Sequence, residues 1–254
     1  MTSLLLVVLA AAYLAACLGL FLVQRRLQYF PQPRRLGPTL LAERFERGDA
    51  VLQLTVRPHP GRGAVLYFGG NGEDVSGALG PLAAAFPDRE IVMLHYRGYG
   101  GSTGAPTEAA ITGDAAALFD RVHAQRPDVV VVGRSLGSGV AVRLASTRPV
   151  AGVVLVTPYD SLVGIAQASF RWFPVRWLLV DKYESWRYVP QVRAPVLVLQ
   201  AQRDELIPAG STQRLLARFR PGQARFVEVP LASHNTICDD PLYVSAMQEF
   251  GAAL

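Results

Sequence analysis

The chain has 254 residues, half of them apolar, and a formal net charge of +5. That is enough apolar material for one sizeable core in a single large α/β domain. Lys182 is the only lysine and the arginines are scattered rather than gathered in a stripe, which excludes a nucleic-acid footprint; two cysteines, Cys17 and Cys238, make no disulfide framework and fit a reducing compartment.

The first element is Leu4–Val23, "LLLVVLAAAYLAACLGLFLV", without a single charge. As a helix it is about 30 Å long, enough to cross a hydrocarbon core. No arginine precedes it, whereas Arg25, Arg26, Arg34 and Arg35 follow, with Tyr29 and Phe30 among them. The positive-inside rule then places the carboxyl side in the cytoplasm, with residues 1–23 as a single-pass anchor. Two rivals stand beside this reading. A cleaved signal peptide needs a basic start and a shorter apolar run, and a lipoprotein site at "LAAC" would attach lipid at Cys17. Either would put the rest of the chain outside the cytoplasm.

Residues 24–50, rich in proline and arginine, read as a linker or interfacial segment. From residue 51 the pattern alternates. Strands are expected at Val51–Val56, Ala64–Phe68, Ile91–Tyr96, Val129–Val132, Val150–Val156, Pro195–Gln200 and Ala224–Val229. Helices are expected at Asp74–Phe86, Thr107–Gln125, Leu136–Thr147, Thr212–Phe219 and Pro241–Leu254. Short apolar runs alternating with helices imply βαβ units and a mostly parallel sheet covered on both faces. Ligands then bind beyond the carboxyl ends of the strands. Residues 161–189 interrupt the alternation and carry all three tryptophans (Trp172, Trp177, Trp186) with Phe170, Phe173, Tyr183 and Tyr188. They read as a cap inserted over the site or, alternatively, as a crossover whose aromatics pack on the core.

Chemistry gathers after the strands. Gly133-Arg134-Ser135-Leu136-Gly137 fits G-x-S-x-G between a strand and a helix. Its glycines are expected where side chains would collide with the neighbouring strand and helix. Serine needs a base. Of four histidines, His59 lies near a turn, His95 in a strand and His123 on a helix; His234, in "LASHNT", follows the last strand. The base needs an acid partner, and Asp204 in "LQAQRDELIP" follows a strand between the two. Asp160 in "TPYDSL" competes, with helix capping as its other role. An oxyanion needs two aimed donors. The Leu136 N–H is one; the loop "FGGNGED" supplies the other, from Asn71 or alternatively Gly70. Arg134 either pairs with a carboxylate such as Asp160 or faces solvent. There is no P-loop, dinucleotide fingerprint, or cysteine–histidine metal spacing, so neither a cofactor nor a metal is expected.

These segments together resemble the α/β-hydrolase superfamily, in its membrane-anchored branch of α/β-hydrolase-domain-containing proteins. The resemblance rests on "QRRLQYFP", "LYFGGNGE", "YRGYGGSTGAPTE", "GRSLGSG", "TPYDSL", "APVLVLQAQRDELIP" and "SHN", in family order over almost the whole chain. It implies an α/β-hydrolase domain over residues 51–254 with nucleophile Ser135, acid Asp204 and base His234. Two positions depart: Gly69 stands where the family's oxyanion loop commonly begins with histidine, and His95 where many members have an acidic residue. The expected activity is hydrolysis of a carboxylic ester or thioester with a lipophilic acyl group. A peptidase or amidase on the same core, and a non-catalytic membrane-tethered binding module, are the alternatives.

Overall fold

The structure is a computed structural model that describes residues 2–35 and 41–254. Met1 of the expected anchor and residues 36–40 of the expected linker lie outside the described residues. The first helix, α1 (Thr2–Gln28), is exposed along nearly its whole length, with Cys17 its one buried residue. It has the length and apolarity of a membrane span.

The 24–50 segment is more than a linker. It carries an edge strand, β1 (Leu41–Arg47), which pairs antiparallel with β2 (Ala50–Arg57) across a two-residue turn with Gly48 at φ +53°. β1 alternates exposed and half-buried side chains and is rich in charge, so its sequence, "LAERFER", carries little apolar signal.

The remaining strands are β3 (Gly63–Phe68), β4 (Glu90–His95), β5 (Asp128–Arg134), β6 (Gly152–Val156), β7 (Val196–Arg203) and β8 (Ala224–Ser233). One eight-stranded sheet runs β1-β2-β4-β3-β5-β6-β7-β8, antiparallel at the β1–β2 and β2–β4 pairs and parallel elsewhere. The helices are α2 (Leu79–Ala85), α3 (Glu108–His123), α4 (Leu136–Ala145), α5 (Leu162–Ser169), α6 (Val175–Leu178), α7 (Ala209–Leu216) and α8 (Pro241–Ala252).

The valine run of β5 shows why such strands are apolar throughout. Val129 and Val131 pack with Ile111 and Leu118 of α3 and Val140 of α4. Val130 and Val132 point the other way, into the layer of Leu82, Tyr243 and Met247 from α2 and α8. Each face of the sheet therefore needs its own apolar set. At about 25 cal/mol per Å² of apolar surface, burial of these two layers is the largest contribution favouring the fold.

Three differences from expectation bear on the site. The expected helix Asp74–Phe86 is a short 3-10 turn at Val75–Ala78, capped by the Asp74 side chain, followed by α2. Gly77, Gly80 and Pro81 weaken a continuous helix there, and Pro81 has no N–H to give to a preceding turn. α7 begins three residues before the expected Thr212, because Pro208 sets the entry and leaves Ala209 free to start the turn. Strands β5, β7 and β8 run on to Arg134, Arg203 and Ser233, past their apolar cores. That last difference matters most, since Ser135, Asp204 and His234 each come immediately after a strand.

Residues 161–189, expected as a cap, form α5, α6 and irregular turns. Of their seven aromatics only Tyr183 is fully buried, and Trp172 and Trp177 are 78% and 81% exposed. Packing on the core does not account for those two rings.

Candidate active site

The parallel register brings the loops together. Gly133 of β5 lies opposite Phe68 of β3, and Arg203 of β7 lies opposite Ser233 of β8. Chains leaving those strands emerge side by side at the carboxyl edge of the sheet.

Ser135 sits on the turn from β5 into α4, with φ 50° and ψ −118°. A non-glycine residue there costs about 1–3 kcal/mol, which the surrounding packing has to over-determine. The flanking glycines make the turn possible. A Cβ on Gly137 would lie 1.9 Å from the Phe68 carbonyl oxygen, and one on Gly133 would lie 2.3 Å from the Gly137 oxygen. A Cβ on Gly139 would meet the Tyr159 hydroxyl at 2.6 Å. The backbone itself is anchored to the next strand, the Ser135 N–H donating to the Val156 oxygen at 2.9 Å.

His234 Nε2 lies 3.0 Å from Ser135 Oγ. Its Nδ1 lies 2.9 Å from Asp204 Oδ2 and 3.1 Å from Oδ1. Both side chains of that pair are only 4% exposed. Asp204 is itself held, since Oδ1 accepts the Leu206 and Ile207 N–H groups at 2.9 and 2.7 Å. The carboxylate thus faces Nδ1 and directs Nε2 to the serine.

Asp160 does not take part. Its carboxylate accepts from Arg214 Nε at 2.6 Å, the Ser211 hydroxyl at 2.5 Å and the Ser161 N–H at 3.0 Å. Burial works against its charge, but Arg214 and Ser211 outweigh it and hold the acid below its ordinary range. Neither His59 nor His123 approaches the serine: His59 accepts the Gly61 N–H, and His123 stacks on Phe119. His95 is buried at the end of β4, 2.8 Å from the Thr55 hydroxyl.

The loop after β3 brings Asn71 to the same cavity as Ser135 and Leu136. The Gly70 N–H already donates to Glu73 Oε2 at 2.7 Å. Among the described residues, the Asn71 and Leu136 N–H groups have no protein acceptor. The position of Asn71 is fixed from three sides. Its oxygen accepts the Tyr99 hydroxyl at 2.6 Å and the Phe30 N–H at 2.9 Å, and its side chain donates to the Gln28 oxygen at 2.9 Å. Tyr96 adds a bond to the Gly69 oxygen at 2.9 Å.

Arg134 pairs with a carboxylate, the first of its two sequence alternatives, but the carboxylate is Glu73 and not Asp160. Its Nη1 donates to Glu73 Oε2 at 2.9 Å, and its Nη2 to the His234 oxygen at 3.1 Å and Asn235 Oδ1 at 3.3 Å. Burial alone would lower the guanidinium's pKa; the Glu73 carboxylate outweighs it and keeps the cation firmly charged. Tyr67, whose phenol burial pushes well up, donates to Glu73 Oε1 at 2.6 Å. Sequence reasoning missed Glu73 as part of the site. Its spacing, three residues after Gly70, was the available signal.

The serine opens onto a cavity of about 380 Å³ with mostly apolar walls. They come from α5, α6, the loop after Asp204 and Leu20, Gln24, Leu27 and Gln28 of α1. This shape and lining suit an apolar small molecule with one reacting polar group. Among the described residues, no cluster of three or more histidine, cysteine, aspartate or glutamate side chains is placed to hold a metal ion.

Comparison with known proteins agrees with this fold. Residues 63–182 match the sequence model of the family described as alpha/beta hydrolase fold. An uncharacterized protein of Mycobacterium tuberculosis is 34% identical over 248 residues, covering 89% of this chain and 86% of that protein. The lysophosphatidylserine lipase ABHD12 of Macaca fascicularis is 29% identical over 154 residues, covering 53% of this chain and 39% of the lipase. Among solved structures, the Pyrococcus furiosus esterase Pf2001 superposes with a TM-score of 0.70 at 18% identity, over 89% of this chain and 98% of that one.

Proposed function

Because the chain belongs to the α/β-hydrolase family, and is a hydrolase of lipase or esterase type at family level, we propose that it is a membrane-anchored serine hydrolase. In this reading it cleaves a carboxylic ester or thioester with a lipophilic acyl group, through an acyl-enzyme on Ser135. The observation that carries it is the continuous relay from Ser135 Oγ to His234 at 3.0 Å and on to Asp204 at 2.9 Å.

The chemistry follows from the contacts. Ser135 Oγ attacks the acyl carbonyl as His234 Nε2 takes its proton. Asp204 fixes the tautomer and stabilises the imidazolium. The carbonyl oxygen becomes an oxyanion facing the free N–H groups of Asn71 and Leu136, the latter at the amino end of α4, where the helix dipole adds to the field. His234 then gives its proton to the departing alcohol or thiol. Water, deprotonated by the same nitrogen, releases the acid and restores Ser135.

The apolar walls support a lipophilic acyl group, and the similarity to a lipid hydrolase points the same way. α1 serves as the anchor, with Arg25 and Arg26 following its apolar run and the domain on the cytoplasmic side. Alkaline phosphatase fused after Leu254 tests the side: the expected fusion is inactive, and an active one reverses the orientation.

The reaction class is tested with purified full-length protein against acyl esters, acyl thioesters and aminoacyl amides. Higher kcat/KM on esters and thioesters, abolished in Ser135→Ala, is expected. Preference for the amides makes the protein a peptidase. No turnover of any of them by folded protein makes it a binding module.

A further inference from the structure

A membrane anchor needs only to tether, yet α1 is built into the substrate cavity. Although apolar on every side, it turns one face to the domain. Tyr13, Cys17, Leu20, Gln24 and Gln28 recur at four- and three-residue steps and share that face. Tyr13 stacks on Phe173 with ring centroids 5.8 Å apart and donates its hydroxyl to the Trp172 oxygen at 3.0 Å. Cys17 is buried in mid-helix. Gln24 Oε1 accepts the Val180 N–H at 2.7 Å, and Gln28 Nε2 donates to the Asp181 oxygen at 3.1 Å. Arg25 Nε pairs with Asp181 Oδ2 at 3.0 Å. On the other side, the Gln28 oxygen holds the Asn71 side chain. The helix is thus clamped between the cap and the oxyanion loop.

Between those clamps Leu20 and Leu27 line the same cavity as Ser135. From Gln28 to Leu20 is about 12 Å along the axis, the reach of a medium-length acyl chain. Leu20 lies inside the apolar run and Gln28 beyond it, so the wall leads from the nucleophile toward the apolar half of the helix. The flank is amphipathic: Trp172 and Trp177 are exposed, and the Arg171 guanidinium sits 5.6 Å from the Trp172 ring. These exposed rings lie beside the apolar run of α1, Trp172 at the level of Tyr13.

We infer that α1 is the acyl-binding wall of the enzyme: the chain of a membrane-resident lipid ester enters from the bilayer along Leu20 and Leu27, while the ester group rises to Ser135. Leu20 and Leu27 then determine chain-length specificity. The inference rests on the reading of Ser135 as nucleophile. Its physical basis is that the hydrocarbon stays among apolar groups throughout, and each methylene seated in the cavity improves kcat/KM by about fourfold until the wall ends.

The test uses the full chain in phospholipid nanodiscs, with p-nitrophenyl esters from acetate to palmitate. Leu20→Trp fills the wall and Leu20→Ala widens it. Leu14→Trp makes the same addition on the exposed side of α1, where Leu14 is 66% exposed. The decanoate-to-acetate ratio of kcat/KM is expected to fall at least tenfold in Leu20→Trp. The preferred chain is expected to lengthen in Leu20→Ala, and Leu14→Trp to match wild type. Equal profiles for Leu20→Trp and Leu14→Trp overturn the inference. Where wild type hydrolyses no ester and a fluorophosphonate leaves Ser135 unlabelled, the hydrolase reading fails by itself. Binding of dansyl-undecanoate then decides the wall: weaker binding in Leu20→Trp than in Leu14→Trp upholds it, and equal binding overturns it.

Discussion

Arg134 Nη1 lies 2.9 Å from Glu73 Oε2, and this pair joins the oxyanion loop to the histidine loop. Glu73 holds Gly70 and Tyr67, and Arg134 holds the oxygen of His234 and Asn235. Both side chains are nearly buried, at 12% and 13% exposure. Breaking a buried pair by removing one partner leaves a bare charge and costs about 3 kcal/mol. Glu73→Gln and Arg134→Met should therefore lower the urea midpoint clearly. They should also lower kcat about 10- to 100-fold through displaced loops, with a smaller change in KM. Unchanged kcat in a folded variant would reduce the pair to a structural brace.

Asp204→Asn keeps an oxygen for the Leu206 and Ile207 N–H groups while removing the charge that faces His234. The fold should survive, with Tm near wild type. Turnover should fall by roughly 10⁴-fold, the loss seen when a triad aspartate is neutralised and the histidine takes the wrong tautomer. Steady-state kinetics beside a thermal melt checks both halves.

Gly137→Ala tests the turn. The added methyl would lie 1.9 Å from the Phe68 oxygen, a backbone atom that cannot swing aside. Destabilisation of about 3 kcal/mol is expected, at the upper end for overpacking, together with loss of Ser135 reactivity. Denaturant unfolding measures it. Gly222→Ala is a poor control because its φ of +76° strains any side chain, whereas Gly113→Ala has open space and is suitable.

Acid stability should depend on His95. Burial is the main cause that lowers its pKa from 6.5 to about 4; Asp74 opposes this and Arg34 adds to it. The native state therefore disfavours the proton that the unfolded chain accepts. Stability is fully present above about pH 6.5 and falls as pH drops toward 4, by as much as ~3 kcal/mol in total. The ring Nε2 lies 2.8 Å from the Thr55 hydroxyl, itself 3.2 Å from that of Ser76. Unfolding midpoints from pH 7 to pH 4 should show this slope, and His95→Gln should flatten it.

Much of this molecule was legible because its signals are local. The β5 valines end in a glycine turn, and the Asp204 and His234 loops each follow an apolar run, so strand, turn and chemistry sit within a few residues of one another. β1 was hidden because an edge strand such as "LAERFER" buries little and alternates charge with apolar residues. The partner of Arg134 was hidden because Glu73 lies 61 positions away, while the carboxylate offered as an example, Asp160, is taken by Arg214. The largest omission was α1. A helix apolar on all sides gives no periodicity from which to read the face that packs, although Tyr13, Gln24, Arg25 and Gln28 all bond it to the domain.

The central claim is that Ser135, activated by His234, is the nucleophile. A fluorophosphonate probe applied to the folded full-length protein tests it most directly, with the modified residue located by peptide mass spectrometry. Labelling at Ser135 that disappears in Ser135→Ala and slows strongly in His234→Ala is the predicted result. Folded wild-type protein that stays unlabelled, or that is labelled equally well in Ser135→Ala, would contradict the account.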